Sequence, residues 1–74
     1  MDRLRYWLGF NLVPGIGPIR LRSLIDRFGD VESAWHASPQ GLREANLDRR
    51  SLRNLIRTRK KVNLEAEVHK VERA

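Results

Sequence analysis

The stretch VPGIGPIR, residues 13–20, constrains the fold of this 74-residue chain more than any other segment. Two glycines and two prolines surround one isoleucine, between stretches whose apolar residues have helical spacing. Pro18 suits the first position of a helix, because the N–H that it lacks would have no partner there. Gly15 and Gly17 can adopt a positive φ. The order predicts a defined turn between two helices, with Ile16 packed back between them.

Apolar residues recur at three- and four-residue spacing along the chain, and no segment shows the strict alternation of a strand. We therefore predict an all-α fold, a compact bundle of about five to six short helices. The first spans residues 2–12, and the second runs from Pro18 to a stop at Gly29. Asp30, Ser38 and Asp48 are predicted to cap the next three helices. A slip of the apolar phase at Asn63 predicts a break and then a short, poorly anchored terminal helix.

The aromatic residues fall on two apolar stripes. Trp7, Trp35 and Phe28 are predicted to lie in the core, and the alternative is that they stack on nucleobases. Tyr6 and Phe10 form a second stripe on the first helix. They are either buried within the module or form an interface with a partner or another domain.

Charge is concentrated in one segment of the chain. The net charge is +6, and residues 49–61 contain seven basic residues and no acidic one. This excess favours an anionic partner such as nucleic acid. The longest run without charge, residues 6–19, is too short and too broken by proline and glycine to span a membrane. We expect a cytoplasmic protein with no membrane partner.

Residues that could support catalysis are few and scattered. There is no cysteine, and His36 and His69 are far apart with no carboxylate at ligand spacing. No serine lies in a strained turn typical of a nucleophile. We predict no metal site, no cofactor and no enzymatic activity.

Two groups of residues are candidate DNA contacts. At the turn, backbone N–H groups at the start of a helix can bind a phosphate, and two arginines can add charge; the alternative is a purely structural turn. The turn candidates are Gly15, Ile16, Gly17, Ile19, Arg20 and Arg22. Farther along the chain lies a basic strip with three alternative roles. It contacts a phosphate backbone, it faces solvent, or it docks on another domain. The strip consists of Arg49, Arg53, Arg57, Lys60 and Lys61.

The glycine-hydrophobic-glycine turn resembles the helix-hairpin-helix motif. Two positions depart from its DNA-binding members, because Ile19 replaces a frequent lysine or arginine and Leu21 replaces a usual alanine. Residues 12–47 as a whole resemble the N-terminal helical, SAM-like domain of the DNA-processing protein A family, also called DprA or Smf. The glycine turn, Phe28-Gly29, Ala37-Ser38-Pro39 and the turn at Leu47 carry this resemblance.

The resemblance implies a helical domain over residues 1–62 and, over 63–74, a linker toward a Rossmann-like domain that this sequence lacks. It also implies a bacterial protein that binds single-stranded DNA during natural transformation and helps to load RecA through that other domain. The chain would then be an accessory module of a DNA-processing protein. The alternative is a protein-interaction or intramolecular docking module with no direct DNA binding.

Overall fold

The computed structural model describes residues 3–73, which form six helices and no strand. The all-α prediction is confirmed. The predicted first helix included Asp2, which lies outside the described residues. The helices are α1 (Leu4–Asn11), α2 (Pro18–Phe28), α3 (Val31–Trp35), α4 (Pro39–Glu44), α5 (Arg49–Lys61) and α6 (Leu64–Arg73).

The predicted helix starts are confirmed by their hydrogen bonds. Asp30 accepts from the Ser33 N–H at 2.7 Å, and Ser38 accepts from the Gly41 N–H at 3.0 Å. Asp48 begins α5 in the same way, through the Ser51 N–H at 3.1 Å. Each side-chain oxygen satisfies an amide that the helix itself leaves unpaired.

Both predicted interruptions are also present. Gly29 ends α2 with a φ of 102°, a conformation that a side chain would disfavour. At the break before α6, Asn63 Oδ1 accepts from the Ala66 N–H at 3.1 Å. These ends are therefore encoded by residues within one turn of the boundary.

The core forms where α1 crosses the later helices. Phe10 and Trp35 pack edge to face with their ring centroids 5.2 Å apart. Gly9 allows this approach, since a Cβ there would lie 2.8 Å from the Trp35 ring and 2.9 Å from Leu64. Leu24, Leu42 and Leu55 are also fully buried in this core.

The burial of α1 differs from the prediction. Trp7 is 44% exposed, so its placement in the core was wrong, whereas Trp35 is buried and Phe28 packs partly against the core. Tyr6 and Phe10 are 8% and 1% exposed, so the module's own core covers the stripe considered as a partner interface. Both stripes of α1 are apolar, so the sequence does not show which one is buried. Contact with α3 and α6 buries the stripe that contains Tyr6 and Phe10.

The prediction of a poorly anchored α6 was also wrong. This helix lies against α1, with Val68 buried and Leu64 packed on the core. The Arg5 guanidinium bonds Glu65 at 2.6 Å across the same contact. Because the apolar phase changes at Asn63, the apolar stripe of α6, with Leu64 and Val68, faces α1.

One basic residue of α5 serves the fold. Arg59 Nη1 donates to the carbonyls of Trp35 and Ala37 at 2.7 and 2.8 Å, at the end of α3. Burial lowers the pKa of the Arg59 guanidinium. A cation suits a helix C-terminus, where carbonyls lack intrahelical partners.

Candidate nucleic-acid interface

Residues 12–17, here called the glycine turn, connect α1 to α2. The Val13 N–H donates to the Phe10 carbonyl at 3.0 Å, and the Ile16 N–H donates to the Val13 carbonyl at 3.3 Å. Ile16 is 8% exposed and belongs to the core cluster, as predicted. Its amide is engaged inside the turn, which removes it from the outward set of N–H groups that the sequence suggested.

Side chains of α5 hold the carbonyl side of the glycine turn. Ser51 Oγ donates to the Gly15 carbonyl at 3.2 Å, and Asn54 Nδ2 donates to the Pro14 carbonyl at 2.9 Å. Gly15 has a φ of 92°, and a Cβ there would lie 2.8 Å from Ser51 Oγ. Ser51 is itself buried, so the fold requires a glycine at position 15.

Gly17 has a different environment from Gly15. Its φ of −92° and ψ of −173° are extended values that any residue adopts. A Cβ there would meet no atom within 4 Å. Gly17 precedes α2 without a side-chain cap, so the first-turn amides, including those of Ile19 and Arg20, are left open to an anion.

The charged groups at this end of α2 are partly paired. Arg20 Nη1 contacts the Asp48 carboxylate and donates to Ser51 Oγ at 2.8 Å. The side chain and backbone N–H of Ser51 lower the pKa of Asp48 to about 2, and Arg20 contributes to the same shift. Ile19 is 87% exposed and brings no charge. Ile19 and Arg20 therefore add little free positive charge to the amides at the start of α2.

The exposed basic residues of α5 differ in the grooves that they line. Arg57 and Lys61 line a groove of about 570 Å³ together with Leu12 and Pro14 of the glycine turn. Glu67 of α6 lines the same groove, and its carboxylate pairs with Lys70. Arg50 lines the adjoining groove beside Gly15 and Arg20. We call Arg50, Arg57 and Lys61 the turn-side cations.

Arg57 and Lys61 are the members of the predicted basic strip that line the groove at the turn. Arg49 lines a separate groove with Arg43 and Leu52. Arg53 and Lys60 are exposed and line none of these grooves. Sequence reasoning missed Arg50, although its spacing of seven to Arg57 and eleven to Lys61 places all three on one helical stripe.

Residues 3–73 contain neither a metal-binding cluster nor a membrane-spanning helix. No group of three His, Cys, Asp or Glu side chains in this part of the chain could hold a metal ion. None of the helices formed by these residues is both long enough and apolar enough to cross a membrane.

Comparison with known proteins gives one partial similarity. The chain is 44% identical over 39 residues to Protein Smf from Synechocystis sp.. The match covers 53% of this chain and 10% of that protein. No family model matches the chain, and no solved structure matches it. The similarity supports a relationship to Smf, the DprA-family protein, over this part of the chain.

Proposed function

We propose that this chain is a DNA-contacting accessory module of a DprA/Smf-like DNA-processing protein, with a helix-hairpin-helix at its glycine turn. One observation carries the proposal. The carbonyl side of the turn is bonded to α5, while the uncapped start of α2 and the turn-side cations lie around the same turn. Open amides and cations around one turn suit a phosphate backbone.

The source of positive charge follows from the pairing of Arg20. Because Arg20 contacts Asp48, its charge is largely compensated within the module. Arg50, Arg57 and Lys61 instead supply the cations next to the turn. They would compensate for Ile19, which stands where a charged residue is frequent in the motif. Contacts of this kind address the backbone and not the bases, so the binding is sequence-independent and weakens with salt.

The wider role rests on the relationship to Smf. We propose that the whole protein acts in the cytoplasm, binds single-stranded DNA during natural transformation and assists RecA loading. Residues 63–74 would lead to its Rossmann-like domain, where the RecA contact would lie. This module would position DNA by contacts to phosphates, and we propose no catalytic role for it.

The test measures binding of a labelled oligonucleotide by fluorescence anisotropy over a range of salt concentrations. We expect Arg57→Gln to lower the slope of log affinity against log salt by roughly one unit, because one phosphate contact is lost. Arg49→Gln is the matched control, since Arg49 is an exposed arginine of the same helix on a different groove. It should leave the slope unchanged. The absence of binding at low salt, or equal effects of the two substitutions, would overturn the proposal.

A further inference from the structure

An apolar groove of about 330 Å³ lies between α1 and α2, next to the glycine turn. Its volume is within the range of small-molecule pockets. Buried or partly buried aliphatic side chains contribute to its lining, and Trp7 joins them from α1. Gly17 and Pro18 belong to the same lining, so the groove is continuous with the start of α2. The aliphatic residues are Ile16, Leu21 and Ile25.

Trp7 is available for a ligand in a way that Trp35 is not. It is 44% exposed, whereas Trp35 is 4% exposed and packs on Phe10. Among residues 3–73, no other aromatic ring pairs with the Trp7 indole. A large ring left open over an apolar groove has a free face for stacking.

The polar residues of the groove favour an anionic ligand. Arg22 contributes a guanidinium to its lining and Asn11 contributes an amide, and no acidic residue lines the groove. Within the described part of the chain, neither side chain has a hydrogen-bond or ion-pair partner. Arg22 thus differs from Arg20, whose charge is already paired with Asp48.

We propose that this groove holds an unpaired nucleobase of single-stranded DNA, stacked on Trp7, while the neighbouring phosphate lies at the start of α2. The proposal rests on the proposed function and adds a contact to a base to the phosphate contacts proposed there. Gly17 lines the groove and also directly precedes α2, so one nucleotide can reach both the groove and the α2 amides. Bases within a duplex are stacked and paired, so they cannot enter the groove without being unstacked. Arg22 would contact the phosphate on the far side of the base.

The experiment compares three probes on the 74-residue chain: oligo(dT), an abasic strand of equal length, and a duplex. Trp7→Ala should lower the affinity for oligo(dT) about tenfold, in the range for one base stacked on an aromatic side chain. The affinities for the abasic strand and the duplex should not change. Trp7→Phe should restore most of the loss. Val71→Ala is the matched control, because Val71 is a similarly exposed apolar residue of α6 that lines none of the grooves described above. Emission from Trp35 and thermal unfolding verify that the variants fold.

The outcomes separate this inference from the proposed function. If wild-type chain binds oligo(dT) and the abasic strand equally and Trp7→Ala changes neither, the base site is wrong and phosphate binding stands. If wild-type chain binds none of the probes at low salt, both proposals fail. A fourth probe, an acidic amphipathic peptide, tests the protein-docking alternative. If Trp7→Ala impairs only the binding of this peptide, the groove is a protein-docking site, and the nucleobase proposal is overturned.

Discussion

The two sides of the glycine turn differ in how they are held. On the carbonyl side, Gly15 has a positive φ and touches the buried hydroxyl of Ser51, so the fold requires glycine at this position. On the amide side, Gly17 has an ordinary φ, and a Cβ added there would meet no atom within 4 Å. Two glycines that look equivalent in the sequence therefore have separate explanations.

This difference indicates where a functional constraint is to be sought. Packing and backbone conformation account for Gly15, and they leave Gly17 unexplained. A missing side chain at Gly17 keeps the start of α2 accessible. Substitutions at the two positions consequently test fold and function separately.

The largest effect is expected from Gly15→Ala. Alanine at a φ of 92° is strained, and its Cβ would press on Ser51 Oγ. We expect a loss of about 2 to 3 kcal/mol in the free energy of unfolding, measured by denaturant titration. Gly17→Ala is the control and should change it by less than about 1 kcal/mol, because weaker capping and lower unfolded-state entropy oppose each other. Equal losses at the two positions would contradict the distinction.

A smaller loss is expected from Ser51→Ala, which removes the hydroxyl between Gly15 and Arg20. The cost should be about 1 to 2 kcal/mol, because the hydroxyl loses one hydrogen bond to Gly15 and another from Arg20. The double variant Gly15→Ala/Ser51→Ala should be less destabilised than the sum of the single variants, because the clash with Oγ is gone. Strict additivity would show that backbone strain alone explains Gly15.

Gly17→Ser should have the opposite sign on stability. The site accepts a side chain, and serine is a better N-cap than glycine, so we expect a gain of about 0.5 kcal/mol. The serine oxygen would accept from an α2 amide and compete with a phosphate, so oligonucleotide affinity should fall. Thermal unfolding and anisotropy on the same sample measure both quantities. A stabilised variant with unchanged affinity would rule out the α2 amides as phosphate contacts.

The smallest effect concerns acid and the Asp48 carboxylate. Its pKa is about 2 in the folded chain against 3.8 ordinarily. The ionised group therefore stabilises the fold above about pH 4, and this contribution disappears as the pH falls toward 2. Asp48→Asn keeps a good cap but has no charge to lose. The difference in unfolding free energy between wild type and variant should be constant above about pH 4 and shrink below it. A difference that stays constant down to pH 2 would show that the charge of Asp48 does not stabilise the fold.

Local features of the chain were predictable because their causes lie within a few residues. Asp30, Ser38, Asp48 and Asn63 bond amides three residues ahead, so their identities and spacing suffice. The end of α2 at Gly29 follows from backbone conformation alone. The grouping of helices into an all-α bundle follows from the periodicity of the apolar residues.

The candidate site was only partly predictable, because it depends on contacts between distant segments. The turn was recognisable, but the pairing of Arg20 with Asp48 and the position of Arg50 beside Gly15 were not. The inward turn of Arg59 and the outward turn of Trp7 were missed for the same reason. Helical phase tells which residues share a stripe, and it does not tell what that stripe meets.

By itself, the sequence determined the helices, their caps and the glycine turn, because each depends on interactions between neighbouring residues. Only the tertiary structure decided which stripe of α1 is buried, which cations lie beside the turn and which glycine the fold needs. Those outcomes depend on how α1, α5 and α6 pack. The energy of packing depends on the shapes and charges that meet, and those partners lie far apart along the chain.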